Sequence, residues 1–273
     1  MGQQELAARQ AHHARALHLF SGPADRVDGI AAYLGAVGVK MECVDLVNVG
    51  TADMDISDDS VWNRLRAKLI GGIFSFLFAG PPCRTFSSAR HVRPGPPTLR
   101  DRSHPYGFPK SQARERGLRP GDYDKIRMDN LMAVRTAEAC TILHDLGSGY
   151  AVEQPWPRSH AVVSMFDLEP FTELQKRGAK VVVFDQCMYD AHTTKPTQVL
   201  YHQARFDLLG ARCDHPSTSH TESDGSTTWA PHPPCVGLTA KSGDYVTKGL
   251  AAYPGTLNKR IAAIINASLA PAL

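Results

Sequence analysis

The sequence predicts an α/β fold, a mostly parallel β-sheet with helices on both faces. Short runs that are apolar throughout alternate with longer stretches of helical character, and strands apolar on both faces belong in sheets covered on both sides. Gly, Pro and Ser bound the runs, and these residues stop strands and open turns. Four of the runs end in polar or reactive residues, Ser21-Gly22, Asp45, Pro82-Cys83 and Glu153. Ligands of open parallel sheets bind beyond the carboxyl ends of the strands, so the four ends read together as a site. Ordinary loop composition explains any one of them equally well.

The elements follow in chain order. Residues 16–20 (ALHLF) form a strand stopped by Ser21-Gly22-Pro23. Residues 28–38 (DGIAAYLGAVG) read as a helix ending near Gly38, and 39–46 (VKMECVDL) as a second strand. In 58–69 the residues Val61, Leu65 and Leu69 recur every four positions, which places them on one face of a helix. Residues 72–79 (GIFSFLFA) are a nearly continuous apolar strand stopped by Pro81-Pro82. Residues 122–146 contain no Gly or Pro and read as one long helix, followed by the strand 149–153 (GYAVE). Two more strands are read at 181–189 and 197–202, with a turn at 192–196, and a last helix at 257–265.

A chain of 273 residues with 42% hydrophobic and 21% charged residues can bury a core without disulfides. Its longest apolar run, residues 69–80, is too short to span a bilayer, and the first 15 residues hold no apolar signal core. Six scattered cysteines then suggest reduced thiols and a cytoplasmic setting. The expectation excludes a membrane protein, a secreted disulfide scaffold and a disordered chain.

The net charge of +3 hides a strong asymmetry. Residues 84–120 hold nine Lys and Arg against two acidic residues, a net +7 that leaves about −4 for the rest. Such a segment reads either as a mobile loop that contacts phosphates or as a solvated Arg-rich loop. A second irregular segment, 213–244, is rich in Ser, Thr, Pro, His and Gly. At the root of the basic segment a buried strand delivers Cys83. An electropositive, partly exposed setting would lower the thiol's pKa and make it a nucleophile; a buried structural cysteine is the alternative.

Pro81-Pro82-Cys83 after a buried strand and Phe20-Ser21-Gly22 after the first strand resemble the DNA cytosine carbon-5 methyltransferases. Further motifs occur in the same chain order: Asp45 at the end of the second strand, Asp55-Ile56, Val152-Glu153-Gln154-Pro155, and Ala251-Ala252-Tyr253-Pro254 before the last helix. The resemblance covers roughly residues 16–90, 125–202 and 244–268. It implies a Rossmann-like, S-adenosylmethionine-dependent fold. Cys83 would be the nucleophile and Glu153 the carboxyl group at ring nitrogen 3. Phe20, Ser21, Gly22, Asp45, Asp55, Ile56 and Pro81 would frame the cofactor. The partner would be DNA, most simply duplex DNA with the target base flipped out, and Arg84, Ser87, Arg90 and Arg93 are the candidate contacts.

The departures are specific. Gly22 is followed by Pro23-Ala24-Asp25-Arg26 rather than more glycines, and Glu-Gln-Pro replaces Glu-Asn-Val. No Gln-x-Arg-x-Arg stretch follows Glu153 in the chain. Lys195, in Thr194-Lys195-Pro196-Thr197, is the candidate substitute, with a plain turn lysine as the equal alternative. The chain divides into a catalytic unit (1–202), a reduced recognition insert (203–243) and a returning segment (244–273). So small an insert suggests short or relaxed sequence specificity. Two other functions stay open: the same chemistry on RNA, single-stranded DNA or a nucleotide, or with a variant cofactor, and a non-catalytic module that binds nucleic acid or a partner.

Within the insert, Cys213, His215, His232 and Cys235 have the residue types of a zinc site, against a polar loop with incidental histidines. Cys43, Cys140 and Cys187 fall in apolar patterns and read as core. Arg26 and Asp28 stand where they could reach a cofactor or the target, and capping explains them equally well. Asn130 and Arg135 lie on the long helix, whose phase leaves their direction open.

Overall fold

A computed structural model describes residues 15–48, 54–92, 95–157, 159–215, 218–221, 227–230, 232–233 and 252–270. The regular elements are β1 (Arg15–Leu19), α1 (Ile30–Gly35), β2 (Lys40–Val44), α2 (Asp59–Ile70), β3 (Phe76–Ala79), α3 (Pro120–Asp145), β4 (Gly149–Pro155), α4 (Glu169–Lys176), β5 (Lys180–Asp185), β6 (Pro196–His202), β7 (Thr218–Thr221), β8 (Thr227–Ala230) and α5 (Gly255–Leu269). Strands β1 to β6 form one mixed sheet in the order β2-β1-β3-β4-β6-β5, while β7 and β8 pair as a separate antiparallel ribbon. Pairing is parallel from β2 through β4, and β6 runs antiparallel to both β4 and β5. Only β6 is therefore reversed, and it starts at the edge where the other five end.

The inner strands β1, β3, β4 and β6 are buried on both faces, as their composition predicts, and the edge strands β2 and β5 are only partly covered. The two-residue alternation sorts the buried side chains between two cores. Leu17, Leu19, Leu77, Ala79, Tyr150, Val152 and Leu200 pack with α2, α3 and α4. Ala16, Phe76, Phe78, Ala151, Val199 and Tyr201 pack with α1 and α5. The final helix thus returns to the face that carries α1. Among the described residues no helix is long and apolar enough to cross a membrane.

Boundaries moved where local chemistry overrode pattern. Helix α3 begins at Pro120 rather than 122, since a proline in the first turn forfeits no intrahelical bond. Asp58 caps α2 by accepting from the amides of Ser60 and Val61 at 2.7 and 3.2 Å. The third strand starts at Phe76, because Gly72, at φ +69°, turns the chain before it. The eight-residue α4, unassigned from sequence, buries only Phe171 and Leu174, too few apolar positions to show a helical period.

The basic segment differs from the solvated Arg-rich loop that is the alternative to a phosphate-contacting one. Arg100 is 1% exposed, and Leu99 and Phe108 are buried with it. The Arg100 guanidinium donates to Pro105 O, Asn130 Oδ1 and Thr85 Oγ1 at 2.7, 3.0 and 2.8 Å, and it lies 3.7 Å from the centre of the Phe86 ring. Arg90 is also buried and donates to the carbonyls of Arg84 and Pro97. Two of the nine cations are therefore consumed in ordering the segment. A buried guanidinium needs acceptors and a counter-charge, and α3 supplies both.

Candidate active site

A cavity of about 970 Å³ opens where β1 to β4 end and β6 begins. Strand β1 lies between β2 and β3, so the chain leaves its end in one direction and returns on the other side. This is where open α/β sheets form a crevice. Phe20, Ser21, Gly22, Asp45, Asp55, Ile56, Pro81, Cys83, Glu153 and Lys195 all line the cavity, together with Arg84 and Ser87.

The turn after β1 is strained and well supported. Phe20 has φ +60° and Gly22 φ +68°. A left-handed backbone is unusual for a bulky residue and recurs at functional sites. A Cβ at Gly22 would meet nothing within 4 Å, so glycine serves the dihedral there rather than a close approach. Asp45 Oδ2 accepts from the Gly22 amide at 2.9 Å and Oδ1 from the Val47 amide at 3.0 Å. Asn48, which belongs to no motif legible in the sequence, clamps the same turn through Gly22 O (3.1 Å) and the Ala24 amide (2.8 Å). Asp55 Oδ1 accepts from the Ser57 amide at 2.8 Å, and Ile56 is buried beside it.

Cys83 emerges from β3 behind Pro81-Pro82, whose path is fixed by Gln154 Nε2 donating to Pro81 O at 2.7 Å. The lowered thiol pKa expected from the basic sequence context is corrected. Burial, then the nearby carboxylates of Glu153 and Asp129, push the Cys83 thiol up to about 11, and Lys195 offsets this only in part. Sequence neighbours are basic, but the neighbours in space are acidic.

Glu153, near the end of β4, is almost buried. Its Oε2 accepts from the Tyr253 hydroxyl at 2.8 Å, while Oε1 is buried with no hydrogen-bond partner. Burial and the Glu153 carboxylate hold the Tyr253 phenol well above its usual range, which keeps it a donor. Lys195 reaches the same wall because β6 is reversed, and its ammonium lies 5.4 Å from the Tyr253 ring centre. Asp129, which gives no signal in the sequence, is fully buried on α3. It accepts from Arg84 Nε (2.8 Å), the Thr85 amide (3.2 Å) and Thr85 Oγ1 (2.7 Å), and burial raises its pKa. His18 also lines the cavity, and burial lowers its pKa to about 3, so it is neutral.

Other candidates resolve into supports. Arg26 pairs with Asp28 at 2.5 and 2.8 Å and donates to Tyr253 O at 2.8 Å, and Asn258 Nδ2 donates to Asp28 O at 2.8 Å. These bonds fasten the last segment to the first. Arg135 donates to Ile56 O and pairs with Asp59, holding the loop before α2. Asn130 anchors the basic segment through Arg100 and Tyr106 O. Ser87 accepts from the Ala89 amide at 3.2 Å. Arg84 keeps half of its side chain exposed, Arg90 is turned inward, and Arg93 lies outside the described residues.

Cys140 is core, but Cys43 is half-buried and lines the cavity, and Cys187 is half-buried beside Cys213, His215 and His232. The core reading of Cys43 and Cys187 fails because each lies at a strand end or in a half-covered strand. Cys235 lies outside the described residues. The chain matches no protein-family model and no curated protein.

Proposed function

We propose that the protein is a Rossmann-like methyltransferase that uses S-adenosylmethionine to methylate carbon 5 of a flipped-out cytosine in DNA. One observation carries the reading. Cys83 and the unpartnered Oε1 of Glu153 line the same cavity as the strained Phe20–Gly22 turn. A buried carboxylate oxygen without a partner is costly unless a ligand completes it.

The cavity residues fit a nucleoside cofactor at the end of β1 and β2. Asp45, whose oxygens already accept from the Gly22 and Val47 amides, would accept further from ribose hydroxyls, and Phe20, Ile56 and Pro81 would offer apolar surface to a base. When bound, S-adenosylmethionine supplies an electrophilic methyl group. The chain's own residues do the rest. Cys83 Sγ adds to carbon 6 of cytosine, and the displaced electron pair moves through the ring toward nitrogen 3. Glu153 protonates or hydrogen-bonds that nitrogen, so charge does not accumulate on the ring. The proton that leaves the Cys83 thiol as Sγ adds passes to the Glu153 carboxylate and from there to nitrogen 3, while Lys195 favours the thiolate. Proton and nucleophile are thereby coupled. Loss of the proton from carbon 5 to water, return of the nitrogen-3 proton to Glu153 and departure of Cys83 Sγ restore the aromatic ring.

A second reading keeps the chemistry and changes the substrate to single-stranded DNA, RNA or a nucleotide. The inward-turned Arg90 and Arg100 favour it, because they leave fewer cations for a duplex backbone. Nucleoside mass spectrometry on duplex DNA, single-stranded DNA and RNA, each incubated with protein and S-adenosylmethionine, tests both. The expected result is 5-methylcytosine in duplex DNA, lost with Cys83→Ala. Product confined to a non-duplex substrate selects the second reading, and no modified base on any substrate overturns both.

A further inference from the structure

We propose that Cys187, Cys213, His215 and His232 form a structural zinc site that fastens the 203–243 segment to the edge of the sheet, independently of what the cavity binds. One ligand atom from each residue lies within 4.8 Å of the others. Cys213 Sγ is 3.2 Å from His215 Nδ1, which is 3.1 Å from His232 Nε2. Zinc bonded tetrahedrally to nitrogen and sulfur holds its ligand atoms roughly 3.3 to 3.8 Å apart. The cluster is close to that arrangement.

Proton positions point the same way. His232 Nδ1 is 3.2 Å from His192 O, and a carbonyl can only accept. Nδ1 therefore carries a hydrogen, which leaves Nε2, 3.1 Å from His215 Nδ1, as the ring nitrogen that can face a metal. Hydrogen bonding of the non-ligating ring nitrogen to a backbone carbonyl is the usual support of a metal-bound histidine. Among themselves, two imidazole nitrogens and two thiols can only share protons pair by pair. A divalent cation satisfies all four together.

The backbone beneath the thiols is fixed from the sheet. Cys187 lies in the short turn Gln186–Tyr189 directly after β5. Gln186 is held there by its amide to Thr194 O (2.8 Å) and by Nε2 to Thr197 Oγ1 (3.0 Å). The buried Asp185 carboxylate accepts from the Cys213 amide and from Arg212 Nε, both at 2.9 Å. Cys187 thus comes from the body of the protein, and Cys213, His215 and His232 come from the segment to be fastened, Cys213 being held through its amide to Asp185. Two thiolates with two imidazoles suit zinc rather than magnesium or calcium, and four protein ligands close the shell to substrate.

The sequence alone paired Cys213, His215 and His232 with Cys235, whereas the described residues bring Cys187 to them. Cys187 and Cys235 are therefore the positions that decide the site. Metal analysis of the full-length protein by plasma mass spectrometry should find about one zinc per chain. Cys187→Ser and Cys213→Ser should each reduce it at least tenfold, while Cys235→Ser keeps it. Cobalt(II) exchanged into the wild-type protein provides a measurement free of folding defects. Intense visible bands with thiolate charge transfer are expected, and the weak spectrum of an octahedral ion would overturn the site. Absence of zinc both after purification and after reconstitution overturns it as well. So does loss of zinc on Cys235→Ser with retention on Cys187→Ser, or a Cys187–Cys213 disulfide in non-reducing mass spectrometry.

Discussion

Residues 84–120 and 203–233 both interrupt the alternation of strand and helix, and their described parts are anchored by different chemistry. The first turns positive charge inward: Arg100 reaches three acceptors around α3, next to the buried Asp129, and Leu99 and Phe108 pack beneath it. The second brings two thiols and two imidazoles to one point beside β5. An irregular segment without its own core needs polar anchors of high energy. A buried ion network supplies them in the first, and the proposed metal site would supply them in the second. Cys83, just before the first segment, and Cys213, within the second, also lie in contrasting fields. Cys83 faces the carboxylates of Glu153 and Asp129, whereas Cys213 faces two histidines.

The contrast breaks most visibly at Arg100. Arg100→Met leaves Thr85 Oγ1, Asn130 Oδ1 and Pro105 O without this donor and leaves Asp129 with Arg84 as its remaining cation. Urea unfolding should show a loss of about 3–5 kcal/mol; a change within experimental error would mean that the first segment is not held by this network. Chelation should act on the other segment alone. Hydrogen exchange should accelerate at 211–215 and 227–230 and stay unchanged at 99–108, and equal acceleration in both would erase the distinction.

Thiol chemistry sharpens the contrast between the two cysteines. Iodoacetamide should alkylate Cys83 slowly at pH 8, with a rate that rises toward pH 11 as the thiolate forms. Removing the carboxylate charge favours the thiolate, so Glu153→Gln should speed alkylation at pH 8 by about tenfold while abolishing methyl transfer. Slower alkylation in this variant would contradict the acidic surroundings of Cys83. The smallest effect is expected at the exposed end of the basic segment. Arg84→Ala should weaken DNA binding a few-fold and reduce the salt slope by about 0.9. An unchanged slope would show that Arg84 serves only Asp129.

Much of the site was legible because its residues sit next to strand ends, and strand ends are visible as breaks in apolar runs. Phe20, Gly22, Asp45, Cys83 and Glu153 were found in this way, and the sheet brings them to one cavity. Lys195 was legible as a turn lysine, but only the reversal of β6 carries it to the same edge. Asp129, Asn48 and the Tyr253–Glu153 bond gave no signal, since each depends on contacts between distant parts of the chain. The pairing of Cys187 with Cys213 is of the same kind.

The sequence by itself determined the α/β class, the burial of the strands and the order of the reactive residues. Those properties follow from local periodicity and composition, which the chain carries without reference to its partners. Only the tertiary structure decided the electrostatic surroundings of Cys83, the inward turn of Arg90 and Arg100, and the fourth member of the Cys/His cluster. Charge and ligation act through space over a few ångströms. Neighbours at that distance are chosen by the packing of the fold, and they are seldom the neighbours in sequence.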